Sequence, residues 1–186
     1  MTKTIALALT LALPVLGACA ASPDDSMREA KKANEAQTLP MAEGTADFLV
    51  AMTDARMMDT AEGRLAFEQG TTEAIRDCGR LMVEEQKVLA DELTSIAADA
   101  DVTLPTTLSD ERSSVLENLS ELRGEQFDRE LIETIAIDHE CDLEAFAGAR
   151  EMNYAPVREF AGTCTPMIER HLTLIEDIER GRSGAS

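Results

Sequence analysis

Between residues 46 and 180, apolar side chains recur every three or four positions in four separate stretches, the spacing of one face of an α-helix. The first runs through Phe48, Met52, Ala55, Asp59, Glu62 and Ala66, and the second through Ile75, Cys78, Met82, Gln86, Leu89, Leu93 and Ile96. The third is marked by Ile132, Ile135, His139, Leu143 and Phe146, and the fourth by Phe160, Cys164, Met167, His171, Leu174 and Ile178. Gly70-Thr71-Thr72 separates the first pair and the "NYAP" run at 153–156 the second, so two helical hairpins are expected. Pro166 lies inside the fourth stretch, where its missing donor predicts a bend or a split.

The two hairpins are joined by "DADVTLPTTLSDERSSVLENLSELRGEQ", far longer than a bundle turn. Within it Ser109 has the character of an N-cap, and "DERSSVLENLSEL" predicts a short helix of about 20 Å. A connection of this length can run the whole height of a bundle, as the crossover of a ferritin-like topology must; simple up-down-up-down order also fits. Aromatics make up only 3% of the chain and Trp is absent, so the apolar content is the Leu, Ala, Ile and Met that favour helices over sheets. The expected fold is all-α: a four-helix bundle at 46–180 with a helix-containing crossover between its second and third helices, and a disordered tail at 181–186.

Each stripe has a polar interruption near its centre: Asp59, Gln86, His139 and His171. The midpoint of the first two falls beside the first turn and that of the last two beside the second, so each pair faces across its hairpin at one level. Polar groups converging in an apolar interior are costly unless they bond to one another, to water or to a cation. Asp59, His139 and His171, with Glu62 one turn from Asp59, are suitable ligands for a divalent metal such as zinc, manganese, iron or copper, whereas Gln86 is a poor one. The competing expectation is a hydrogen-bonded network that sets helix register. A di-iron carboxylate site is excluded, because it needs Glu-x-x-His on two helices and Ala136 and Ile168 stand where the glutamates would be. No Gly-x-Ser-x-Gly, phosphate loop or His-Glu-x-x-His is present, so no enzymatic activity is expected.

The first 18 residues join Lys3 to the apolar "IALALTLALPVLG", a targeting segment too short to span a bilayer comfortably. It ends in Leu16-Gly17-Ala18-Cys19, which resembles the lipobox of bacterial lipoproteins, where the cysteine is lipidated and becomes the N-terminus. Ala18-Cys19-Ala20 also fits the cleavage site of an ordinary secretory signal, but a thiol this close to the apolar run favours the anchor. Ala20 rather than Asp after that cysteine implies, by the same resemblance, transfer to the outer membrane with the domain facing the periplasm. Residues 19–45, polar and small, read as a lipidated flexible tether, with at most a transient helical turn at "REAKKANEA". Of three remaining cysteines, Cys78 and Cys164 fall on buried stripes and Cys141 lies off its stripe; free thiols are expected. Removing residues 1–18 deletes Lys3 and no acid, taking the formal charge from −19 to −20, which excludes nucleic acid as a partner and leaves the membrane and an envelope protein.

In order, "DFLVAMTDARMMDTAEGRLA", "RLMVEEQKVLADEL", "VTLP", "GEQFDRELIETIAIDHE" and "REFAGTCTPMIERHL" resemble a bacterial family of predicted outer-membrane proteins with a ferritin-like domain of unknown function, over residues 46–178. The resemblance implies an acidic residue on the first helix, matched by Asp59, and histidines on the other three, matched by His139 and His171. Gln86 stands where the second-helix histidine is implied, which removes one ligand. Two functions follow as expectations: a lipid-anchored envelope protein whose polar layer holds a divalent metal or small ligand, or an envelope interaction module with no cofactor.

Overall fold

A computed structural model describes residues 25–183, which form six helices and, among the described residues, no strand. They are α1 (Asp25–Glu35), α2 (Glu43–Gln69), α3 (Glu73–Asp99), α4 (Asp110–Glu121), α5 (Gly124–Ala149) and α6 (Ala155–Ser183). The targeting segment and Cys19 lie outside the described residues. The four expected stripes correspond to α2, α3, α5 and α6, each about 40 Å long at 1.5 Å per residue. No helix among the described residues is long and apolar enough to cross a membrane.

The core divides into two clusters, one at each end of the bundle. Phe48, Met52, Leu93, Ile96, Phe146, Val157 and Phe160 fill one, drawn from the start of α2, the end of α3, the end of α5 and the start of α6. Ala66, Ile75, Cys78, Phe127, Leu131, Ile175 and Ile178 fill the other, from the opposite end of every helix. The α2–α3 turn therefore sits at one end and the α5–α6 turn at the other, and α3 runs parallel to α5. Asp128, near the start of α5, accepts from the backbone of Thr71 at 3.1 Å and from its hydroxyl, pinning the first turn to that end. The connection from α3 to α5 therefore runs the length of the bundle and carries α4.

That order also separates Cys78 from Cys164, which lie in different clusters, free and buried. Burial pushes the thiols up, Cys78 to about 11 and Cys164 to about 12, which disfavours the reactive thiolate in both. Cys141 departs from the expected free thiol: it is half-buried and disulfide-bonded.

α2 and α3 approach closely where Gly63 and Gly79 face each other. A Cβ on Gly79 would lie 2.4 Å from the Gly63 carbonyl oxygen and 2.6 Å from Ala66 Cβ. Thr72 caps α3 by accepting from Ile75 N at 3.3 Å, and Ser109 caps α4 by accepting from Arg112 N at 3.2 Å, the role its sequence context predicts.

Three expectations are corrected. Much of the supposed tether is α1, whose Met27 and Ala30 pack on Val50 of α2 and whose Asn34 bonds both the N–H and the carbonyl of Thr103. α6 continues to Ser183, so residues 181–183 of the expected tail are helical. Of the bend or split expected at Pro166, the split is absent, since α6 is one helix through it. The carbonyl that Pro166 leaves without a donor belongs to Gly162, on an exposed face where water can pair it.

Candidate functional site

The expected polar layer is present between the two apolar clusters. Asp59, Glu62, Gln86, His139 and His171 are all fully buried. Gln86 Nε2 donates to Asp59 Oδ2 at 2.7 Å, joining α3 to α2, and a ring nitrogen of His139 lies 3.1 Å from one of His171, joining α5 to α6. The rings stack with centroids 5.2 Å apart. The pairing across each hairpin follows from antiparallel helices carrying polar residues equally far from their turns.

Other buried polar groups were not foreseen. Arg56, one turn before Asp59, donates to Gln86 Oε1 at 3.3 Å, lies 3.1 Å from Asp59 Oδ2 and is paired with Asp142 of α5. Burial works against its charge, but Asp142 and Asp59 outweigh burial and raise its pKa. On the side facing α4, Arg112 reaches Asp54 at 3.1 Å and Asp138 at 3.0 Å, while Asp54 also accepts from Ser109 N at 2.8 Å. Glu85, at the rim on α3, accepts from Arg170 at 2.5 Å and lies 2.6 Å from His171 Nε2. Arg56 and Asp142 escaped notice because a charged residue beside an apolar stripe ordinarily faces water. The legible signal was spacing: Met52, Arg56 and Asp59 stand four and three apart, as do Ile135, His139 and Asp142.

The layer is not fully satisfied within the protein. Asp59 Oδ1, both carboxyl oxygens of Glu62, His139 Nδ1 and Arg56 Nε are buried without a hydrogen-bond partner. Asp59 Oδ1 and His139 Nδ1 are 4.0 Å apart. Burial raises the Asp59 pKa to about 6 against the lowering effect of Arg56. Burial, reinforced by Asp138 and Asp59, drives Glu62 well above the carboxylate range. Burial likewise lifts Asp138 to about 6, with Arg112 opposing, and lowers His139 to about 4 despite Asp142. His171 is lowered by burial and by His139, with Glu85 opposing.

Two groups of side chains bring ligand atoms within 4.8 Å of one another: Asp59 with His139 and Asp142, and Asp59 with Glu62 and Asp138. Asp59 belongs to both. Of the four residues expected to ligate, the structure thus brings Asp59 to His139 in one group and to Glu62 in the other, whereas His171 stands one step behind. Its two nitrogens face His139 and Glu85, which leaves none for a metal.

A family model described as "Domain of unknown function (DUF4142)" matches residues 30–178. The chain belongs to this family. The DUF4142 match begins inside α1 and ends near the close of α6, so it takes in every residue of the polar layer. No curated protein matches the chain. Among solved structures, a DUF305 fragment from Deinococcus radiodurans is similar, with a TM-score of 0.67 and 12% identity over 75% of this chain and 97% of that one. At that identity the likeness shows a shared helical fold alone.

Proposed function

We propose that this DUF4142 chain is a lipid-anchored cell-envelope protein whose ferritin-like bundle holds a divalent transition metal in its central polar layer. One observation carries the metal reading: Asp59 Oδ1, His139 Nδ1 and both oxygens of Glu62 are buried acceptor or titratable atoms with no partner. Buried polar atoms are rarely left unpaired, and an ion with bonds of about 2.0–2.2 Å can bridge donors 4.0 Å apart. A nitrogen donor beside carboxylates suits zinc, manganese or iron better than calcium or magnesium. Asp59 and His139 would hold the ion with Asp142, while Glu62 and Asp138 offer a second group around the same Asp59. The ferritin-like topology rests on the crossover order and on the parallel course of α3 and α5.

The test is metal analysis of protein purified from its native host without chelators, beside His139→Ala and Asp59→Asn. Stoichiometric metal in the parent and its loss in both variants is the expected result; a metal-free parent ends the reading. The anchor rests on Leu16-Gly17-Ala18-Cys19, and Ala20 favours the outer membrane with the domain in the periplasm. Mass spectrometry of the N-terminal peptide should find acyl chains on Cys19. Unmodified Cys19 cross-linked to Cys141 in a peptide map made without reductant overturns the anchor, because a thioether sulfur cannot also form a disulfide.

A second reading, an envelope interaction module with no cofactor, is favoured by Arg56. Its guanidinium already places a positive charge against Asp59 and Asp142, as a register-fixing network would.

A further inference from the structure

Three side chains from three helices form a line from the surface to the centre of the bundle. Glu85 on α3 is partly exposed, with 26% of its side chain open to solvent. Its Oε2 lies 2.6 Å from His171 Nε2 on α6, and His171 Nδ1 lies 3.1 Å from His139 Nε2 on α5. His139 Nδ1, at the inner end, faces Asp59 Oδ1 at 4.0 Å.

Hydrogen-bond chemistry fixes what each atom in the line carries. A carboxylate only accepts, so His171 Nε2 bears a proton and donates it to Glu85. In a neutral imidazole the other nitrogen then has only a lone pair, so His171 Nδ1 accepts and His139 Nε2 donates to it. His139 Nδ1 is left as a bare lone pair directed at a carboxylate oxygen. Two electron-rich atoms facing each other in a buried interior call for a cation or a proton donor between them, and a divalent cation satisfies both at once. The contrary arrangement makes His171 an imidazolium and puts a proton on His139 Nδ1. That N–H would find Asp59 Oδ1 beyond hydrogen-bond reach at 4.0 Å and would be buried without an acceptor.

We propose that Glu85, acting through His171, holds His139 in the Nε2–H tautomer and is a positioning residue for metal capture by Asp59 and His139. The assignment rests on the metal reading above for its purpose but not for its geometry. It also accounts for His171, which is placed to orient a ligand rather than to be one, in the manner of outer-shell partners that set ligand tautomer and basicity. Arg170 Nη2, donating to Glu85 Oε1 at 2.5 Å, holds the carboxylate at the rim.

The test is nitrogen-15 NMR of the imidazoles in the metal-free protein at neutral pH, for the parent chain, Glu85→Ala and Glu85→Gln. The parent should show His139 with Nε2 protonated and Nδ1 bare. Glu85→Ala should lose that preference with the helical circular dichroism unchanged, whereas Glu85→Gln, whose amide oxygen can still accept from His171, should keep it. Zinc added alone should bind Glu85→Ala roughly 10–100-fold more weakly than the parent. A proton on His139 Nδ1 in the parent, or a tautomer indifferent to Glu85→Ala, overturns the positioning role whatever zinc does. Failure of zinc to bind the parent overturns metal capture while the spectra still decide the tautomer, so the two failures are told apart.

Discussion

Arg56 Nη2 lies 3.1 Å from Asp59 Oδ2 and also holds Asp142, which sets one buried guanidinium between carboxylates from two facing helices. Its side chain is only 1% exposed, so solvent offers those carboxylates no substitute. Removing one partner of a buried pair leaves an uncompensated charge, at a cost of about 3–5 kcal/mol. In metal-free protein, Arg56→Met should therefore lower Tm by roughly 10 °C, given about 2–4 °C per kcal/mol for a chain of this size. Adding Asp142→Leu to Arg56→Met should restore part of the loss, read as a coupling energy in a double-mutant cycle. Strictly additive losses would show that the pair contributes nothing as a pair.

Glu62 sets the pH dependence. Burial, with Asp138 and Asp59 nearby, disfavours its ionised form in the fold but not in the unfolded chain, where its ordinary value is 4.5. A raised folded pKa means that the native state binds the extra proton above pH 4.5, so the penalty is present at neutral pH and fades as pH falls toward that value. Glu62→Gln should raise Tm of the metal-free protein by several degrees near neutral pH, with the gain vanishing on acidification. With metal bound the sign should reverse, because the amide is a weaker ligand. Tm measured across pH with chelator and with added zinc checks both signs, and a gain that grows toward acid pH would refute the assignment.

The polar interruptions Asp59, Gln86, His139 and His171 were legible because each broke a stripe of apolar residues, and hairpin symmetry put them at one depth. Arg56 and Asp142 were not, since a charged residue next to a stripe is the usual sign of its outer edge. Position 143 shows the ambiguity: Leu143, four residues after His139, reads as the next buried residue, yet Asp142 at three is the one buried at 3% exposure. Helical periods of three and four differ by about 100° of rotation, and only packing against α2 chooses between them. The crossover was legible as a length, but its direction depended on which ends share a core. α1 was hidden because its buried face is only Met27, Ala30 and Asn34, and its apolar partner lies on α2.

The Gly63–Gly79 contact predicts a specific intolerance. A methyl group on Gly79 would meet the Gly63 carbonyl oxygen at 2.4 Å and Phe67 N at 2.7 Å, backbone atoms that cannot turn aside as a side chain would. Gly79→Ala must therefore push α2 and α3 apart, and overpacking of this kind costs typically about 1–3 kcal/mol. Gly162→Ala, in α6 with no atom within 4 Å of the added Cβ, should instead stabilise by roughly 0.5–1 kcal/mol through helix propensity. Thermal melts of the two variants decide it: equal tolerance at both positions would mean that the helices do not approach so closely.

α1 docks through a small apolar face and a few polar ties, of which Asn34 makes two bonds. The side chain accepts from Thr103 N at 2.7 Å and donates to the Thr103 carbonyl at 3.0 Å, joining α1 to the start of the crossover. Among the described residues the buried apolar cluster at α1 is Met27, Ala30 and Val50, so its local stability is low compared with that of α2 or α5. Each of the two bonds contributes about 0.5–1.5 kcal/mol, and a loss of about 1.4 kcal/mol is a tenfold change in an opening equilibrium. Asn34→Ala should therefore speed amide exchange across residues 27–35 by roughly ten- to a hundredfold while leaving the bundle helices protected. Exchange in that segment at unprotected rates in the parent chain would restore the flexible tether that its composition alone suggests.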